Sequence, residues 1–198
     1  MDKPAITKYD IHPLLNKRWS PRSFLEKPVD KAALQRIFEA ARWAPSSFNE
    51  QPWRFIVGIK GDKTWGKVME ALADFNQKWA KLAPVLVLSV GKTLSSKNNK
   101  SNKVFKYDVG QGVAHLTFQA TEEGLFVHQM GGFSPEKARE LFDIPDGYEP
   151  LTVFAIGHKG EPDLLDGDFP EMEKAPRERK EMDELIFEEK FGNPSGLF

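Results

Sequence analysis

The chain has 198 residues, 40% of them hydrophobic and 12% aromatic, enough to bury a core but short for two domains, so one domain over residues 1–198 is expected. Its 28 basic and 29 acidic residues nearly cancel, which argues against nucleic acid or an anionic membrane as partner and leaves small molecules or a second copy of the chain. With no cysteine there is no disulfide, thiolate metal site, iron–sulfur cluster or thiol nucleophile, so any redox chemistry belongs to a bound cofactor.

The opening stretch MDKPAITKYDIHPLL mixes charge into its apolar residues and lacks a signal-peptide core, and no run of about 18 apolar residues suits a membrane span. A soluble cytoplasmic protein is expected. Asp30 caps a helix over roughly 31 to 43, with Leu34, Ile37, Phe38 and Ala41 at helical spacing and Pro45 ending it. Trp53 to Ile59, stopped by Lys60-Gly61, reads as a buried strand. Trp65, Val68, Met69, Leu72 and Phe75 restore the helical period. Pro84 to Val90 and Leu151 to Ile156 are further strands, and intervening helices favour parallel crossovers between strands. Lys92 to Lys106 holds five lysines and no acid, the composition of a mobile surface loop. A helix is expected from about Phe105 to Glu123, another starts at Ser134-Pro135, and a helical patch lies near Glu181 to Glu189 in an acid-rich tail.

Gly110-Gln111-Gly112 lacks the third glycine of a dinucleotide fingerprint and falls inside a helical pattern. His12, His115, His128 and His158 are scattered without metal-ligand spacing, so no metal is proposed. Arg18-Trp19-Ser20-Pro21-Arg22-Ser23-Phe24 is more specific: two guanidinium forks and a hydroxyl within five positions suit a phosphate group, although a basic surface turn uses the same residues. Ala44-Pro45-Ser46-Ser47-Phe48-Asn49-Glu50-Gln51-Pro52-Trp53 joins the first helix to the first strand, a polar loop stiffened by prolines and suited to orienting a ligand. A serine hydrolase would need a nucleophile elbow that is missing. Five of the eight arginines lie at or before Arg54, and Arg177 and Arg179 sit near the C-terminus.

Taken together, these two N-terminal motifs, Asn76, the stretch Gly124 to Phe133 and Arg177-Glu178-Arg179-Lys180 resemble the nitroreductase family over essentially the whole chain. The resemblance implies an α+β fold, a central mixed sheet flanked by helices, in a homodimer with FMN at the subunit interface. By that resemblance Arg18, Ser20, Arg177 and Arg179 bind the phosphate, and Trp19, standing where relatives often carry Arg or His, offers a backbone contact. Arg22 sits beside the flavin pyrimidine edge, and Asn76 hydrogen-bonds that edge. Pro45, Ser46, Ser47 and Asn49 reach the flavin held mainly by the partner subunit, while Gly131 and Gly132 pass its N5 edge. The implied activity is hydride transfer from NADH or NADPH through flavin N5 to a small electrophilic acceptor such as a nitroaromatic or quinone, ping-pong through one site, with no residue required as acid or base. The alternative is a non-catalytic flavin carrier or sensor on the same fold. Dehalogenation or desaturation would also be compatible with that fold.

Overall fold

The structure, a computed structural model, describes residues 1–197. Asp30 accepts the Ala33 amide at 3.1 Å and so starts α2 (Lys31–Arg42), whose Ala33, Ile37 and Ala41 are buried. The short α1 (Pro13–Lys17), not foreseen from periodicity, precedes it. Four strands follow in the sheet: β1 (Trp53–Ile59), β2 (Val85–Lys92), β3 (Phe126–Met130) and β4 (Tyr148–Gly157), in the order β1-β2-β4-β3.

Every pairing in this sheet is antiparallel, which corrects the expectation of parallel crossovers and a mixed sheet. The physical reason lies in adjacency. β2 and β3 point the same way and are joined by the 18-residue helix α5 (Phe105–Glu122), as a crossover requires, but β4 inserts between them and pairs antiparallel with both. Strand β3 is not among the expected strands: His128 and Gln129 interrupt its apolar run, and glycines flank it. β1 is an edge strand and only partly buried, where a buried strand was expected.

Alternation along the central strands divides the core between two faces. Leu86, Leu88 and Val90 of β2, with Val153 and Ala155 of β4, pack beneath α3 (Lys63–Ala71), α4 (Asp74–Ala80), α6 (Pro135–Leu141) and α7 (Phe169–Lys174). Val85, Val87, Phe154 and Ile156 face α2 and α5. Ser134 caps α6 through the Lys137 amide.

The helical period from Trp65 to Phe75 does not form one helix. Leu72 is extended and bridges Phe133, and the Ala73 amide donates to the Gly132 carbonyl, so the backbone there serves the 132–134 segment and α4 starts afresh. Residues 92–106 carry a folded hairpin with a Leu94–Ser101 bridge. Glu50 ties that hairpin to the polar loop by accepting from Ser95 Oγ at 2.6 Å and the Ser96 amide at 2.7 Å. Near Glu181 to Glu189 only a single 3-10 turn forms, Met182–Glu184, before a Phe187–Pro194 bridge.

Strand β1 meets α3 at Gly58, where a Cβ would stand 2.4 Å from the Trp65 amide nitrogen. Backbone cannot retreat as a side chain can. Gly58→Ala should therefore cost about 1–3 kcal/mol by overpacking. Gly66→Ala, within α3 and facing open space, should gain up to about 1 kcal/mol. Urea unfolding of both variants checks the pair, and a neutral Gly58→Ala would contradict the close contact.

Candidate functional site

Where α1 ends, the Arg18 amide donates to the Leu14 carbonyl and the backbone turns extended. The chain then passes beside β3. The Trp19 indole packs edge-on against Phe126 at 6.2 Å and is buried in the core, so only the Trp19 backbone is left for a ligand. His128 lies under Pro21, with its Nδ1 2.8 Å from the Pro21 carbonyl; since a carbonyl only accepts, Nδ1 carries the proton. The imidazole also contacts the buried Trp79 at 4.4 Å.

Residues from both ends of the sequence meet here. Arg177 Nη1 donates to the carbonyls of Lys3 (2.6 Å) and Asn16 (3.1 Å), which seats the C-terminal segment against α1. Burial, and then the nearby Arg177 and Arg179, push the Arg18 pKa below the usual guanidinium value. Arg177 is lowered in the same way, by burial and then by Arg179. Three guanidiniums thus share one electrostatic neighbourhood. Arg18 Nη1 also reaches Ser20 Oγ at 3.4 Å.

What these cations lack is an acid. Among the described residues the arginine ion pairs are Arg36–Glu123 and Arg42–Glu39; Arg18, Arg22, Arg177 and Arg179 form none. Arg22 Nε is buried and has no hydrogen-bond partner. An unpaired buried donor costs about 1–3 kcal/mol, so such an atom calls for a ligand.

Asn76 on α4 and Gly132 after β3 are brought together, Asn76 Nδ2 donating to the Gly132 carbonyl at 2.9 Å. A Cβ at residue 132 would stand 2.7 Å from that nitrogen, so a side chain there would push the Asn76 amide aside. Gly131 has nothing within 4 Å of its Cβ position and opens on a cavity of about 430 Å³ lined by Val109, Val113, Gln129 and Thr152 among others.

Pro45, Ser46, Ser47 and Asn49 are not part of this assembly. Their loop lies at the start of β1, on the opposite edge of the sheet from β3, where Ser47 N donates to the buried Asp108 of α5 at 3.1 Å. Three strand spacings of about 4.8 Å put some 14 Å between the two edge strands. Ser46 Oγ accepts the Gln51 amide at 3.0 Å, and Phe48, Asn49 and Gln51 all hold positive φ, strain that a functional loop stores. Phe48 is 94% exposed and Trp43 72%. These are large aromatics for a surface that faces only water.

Sequence reading missed Lys3, Glu173 and, as a contact of the arginine segment, His128. Lys3 Nζ donates to the Glu173 carbonyl at 2.8 Å and stands 4.9 Å over Trp19. Glu173, 2% exposed, accepts the Arg22 and Ser23 amides. One acid in an acid-rich tail carries no mark of burial. Among the described residues no group of three or more His, Asp or Glu side chains is arranged to hold a metal, and no helix is long and apolar enough to cross a membrane.

Two predictions follow from this electrostatics. In protein freed of bound ligand, inorganic phosphate should raise the thermal midpoint more than chloride at equal ionic strength, and Arg177→Ala should lose that response; equal responses to the two salts would contradict an anion site. For His128, burial lowers the pKa from 6.5 to about 4, outweighing the Pro21 hydrogen bond, and Arg22 adds to the lowering. The unfolded chain therefore takes up the proton first as pH falls. The stability carried by the neutral ring is complete above pH 6.5 and is lost on descent toward pH 4, by at most about 1.4 kcal/mol per pH unit. Urea midpoints should fall more steeply over that window in the parent than in His128→Gln, and parallel curves would contradict the buried neutral ring.

Comparison with known proteins places this geometry among relatives. The family model described as the nitroreductase family matches residues 15–71 and 58–158. A solved structure of an oxidoreductase containing FMN is 36% identical, with a TM-score of 0.89 over 95% of this chain and 96% of its own. An uncharacterized 15.4 kDa protein of Mycolicibacterium smegmatis is 30% identical over 148 residues, 71% of this chain and 99% of that protein. FMN reductase [NAD(P)H] of Bacillus subtilis is 31% identical over 156 residues, 70% of this chain and 61% of that protein.

Proposed function

Because the chain belongs to the nitroreductase family, we propose that it is an FMN-dependent NAD(P)H oxidoreductase, a single FMN-binding domain over residues 1–198 that reduces a small electrophilic acceptor such as a nitroaromatic or quinone. The observation that carries this reading is the set of arginines from both chain ends, free of carboxylate partners and including a buried unpaired Nε. That donor set fits FMN: forks for a phosphate dianion, one cation set apart for the ring, and an amide for its polar edge.

FMN, when bound, supplies the two-electron exchange between NAD(P)H and acceptor. Arg18, Ser20, Arg177 and Arg179 hold the phosphate, with the Trp19 backbone beside them. Arg22 would lie beside the pyrimidine edge of bound FMN, where its cation would favour the negative charge that comes with reduction. Asn76 spends its Nδ2 on Gly132, which leaves its Oδ1 to accept from a ring N–H. Gly131 and Gly132 present backbone and keep the ring face open. The 430 Å³ cavity beside Gly131 is in the range that would take donor and acceptor molecules in turn.

A homodimer completes the site. The loop of Pro45, Ser46, Ser47 and Asn49 stands across the sheet from its own arginines, so it serves the flavin of the partner subunit. Assembly would also cover the exposed Phe48 and Trp43, and the tail around Leu185, Ile186 and Phe187.

Arg18→Ala and Arg179→Ala should each weaken FMN binding at least about tenfold, since a hydrogen bond to a charged group is worth about 1.5–3 kcal/mol. Arg22→Ala should mainly slow flavin reduction by NAD(P)H. Equal effects of all three on affinity with reduction untouched would contradict the division of roles. Holo-protein without NAD(P)H oxidation in the presence of a quinone or nitroarene would favour a flavin carrier instead.

A further inference from the structure

Glu173 is the one buried carboxylate beside the arginine cluster, and it does not neutralise any member of it. Its oxygens accept the Arg22 amide at 3.0 Å on each side and the Ser23 amide at 3.2 Å. Two successive amides turned toward one anion form a nest that spends the carboxylate on backbone. No guanidinium lies within ion-pair distance of it among the described residues. A cation that feels its charge is Lys3, whose ammonium is held by the Glu173 and Ala175 carbonyls.

The rest of the Arg22 neighbourhood is fixed from other sides. His128 holds the Pro21 carbonyl in front. Ser23 Oγ donates to the Glu161 carbonyl at 2.6 Å, and the Gly160 amide donates to the Ser23 carbonyl at 2.9 Å behind. The Pro21 carbonyl, the Arg22 amide and both backbone groups of Ser23 are thus engaged, while the buried Nε of the Arg22 guanidinium is left without a partner.

We propose that Glu173 is a positioning residue that locks the Arg22 backbone while leaving its guanidinium uncompensated, and so sets the reduction potential of the bound flavin. This inference rests on the FMN reading above. A Glu173–guanidinium ion pair would cancel the very charge that stabilises the reduced ring, whereas an amide nest holds the residue in place and leaves the charge intact. Glutamine at 173 has one acceptor oxygen for two amides, and its NH2 would face an N–H, so the segment would loosen.

The sign of the potential tests this. Removing a negative charge near the flavin, by itself, raises its midpoint potential. Losing the alignment of Arg22 lowers it. Spectroelectrochemical titration of holo-protein, with FMN dissociation constants measured in parallel, should show Glu173→Gln shifted downward, in the direction of Arg22→Ala. The double variant should fall little beyond Arg22→Ala, because the two residues act through one interaction. A raised or unchanged potential in Glu173→Gln while Arg22→Ala is lowered, or fully additive shifts, would overturn the inference and leave the FMN reading standing. Should Glu173→Gln not fold, Glu173→Asp, charged but one methylene shorter, is read in the same way: a lowered potential supports positioning and an unchanged one overturns it. A parent protein that takes up no flavin, or an Arg22→Ala that leaves the potential alone, would overturn the reading and the inference together.

Discussion

The arginines that the two chain ends bring together without an acid in contact, Arg18, Arg177 and Arg179, are the feature around which the candidate site is arranged. Guanidiniums do not shed their protons at physiological pH, so a cluster with no acid in contact keeps its charge and favours an anion from outside. Separation is prevented by ordinary packing: α1 fixes Arg18, carbonyls of Lys3 and Asn16 fix Arg177, and Trp19 anchors the intervening chain to Phe126. The fold thus holds a charge arrangement that is unfavourable alone. On the proposed reading its favourable partner is a phosphate dianion, whose binding energy would offset the repulsion by linkage.

The sheet order has a second consequence for the site. With β3 at one edge and β1 at the other, the arginine segment and the strained Ser46–Gln51 loop stand on opposite edges of the sheet of one chain. Each edge offers half of what a bound flavin needs: charge and ring-edge contacts on the β3 side, a polar loop with exposed aromatics on the β1 side. In the proposed homodimer, two-fold assembly would pair one half with the other. Glu50 extends the β1 half by tying in the lysine-rich hairpin, which is folded rather than loose.

Much of this was legible in the residues themselves. The Asp30 and Ser134 caps and the β1 bounds follow from local chemistry and match the structure. Arg18, Ser20 and Arg22 stood out because two forks and a hydroxyl at that spacing suit phosphate, and the family resemblance joined them to Arg177 and Arg179. Other features depend on tertiary context. β3 is too short and too polar at His128 and Gln129 to announce itself, and it forms because β4 offers an edge. The insertion of β4 between β2 and β3, which turns an expected parallel neighbour into an antiparallel one, is a choice that no local pattern encodes. The break at Leu72 arises from the 132–134 segment claiming backbone groups. Glu173 was invisible for a related reason: its role is set by the amides it meets 150 residues away in sequence.

The central claim is that each flavin site joins the arginine cluster of one protomer to the Ser46–Asn49 loop of the other. Heterodimers of an Arg18→Ala/Arg179→Ala chain with a Ser46→Ala/Asn49→Ala chain test it most directly, through the number of FMN bound per dimer at a concentration where neither variant homodimer holds flavin. If the sites are shared, one site collects both defects and the other is fully intact. Half of the parent occupancy should then return. If each chain built its own site, every site in the mixed dimer would carry a defect, and an occupancy no higher than that of the variant homodimers would contradict the account.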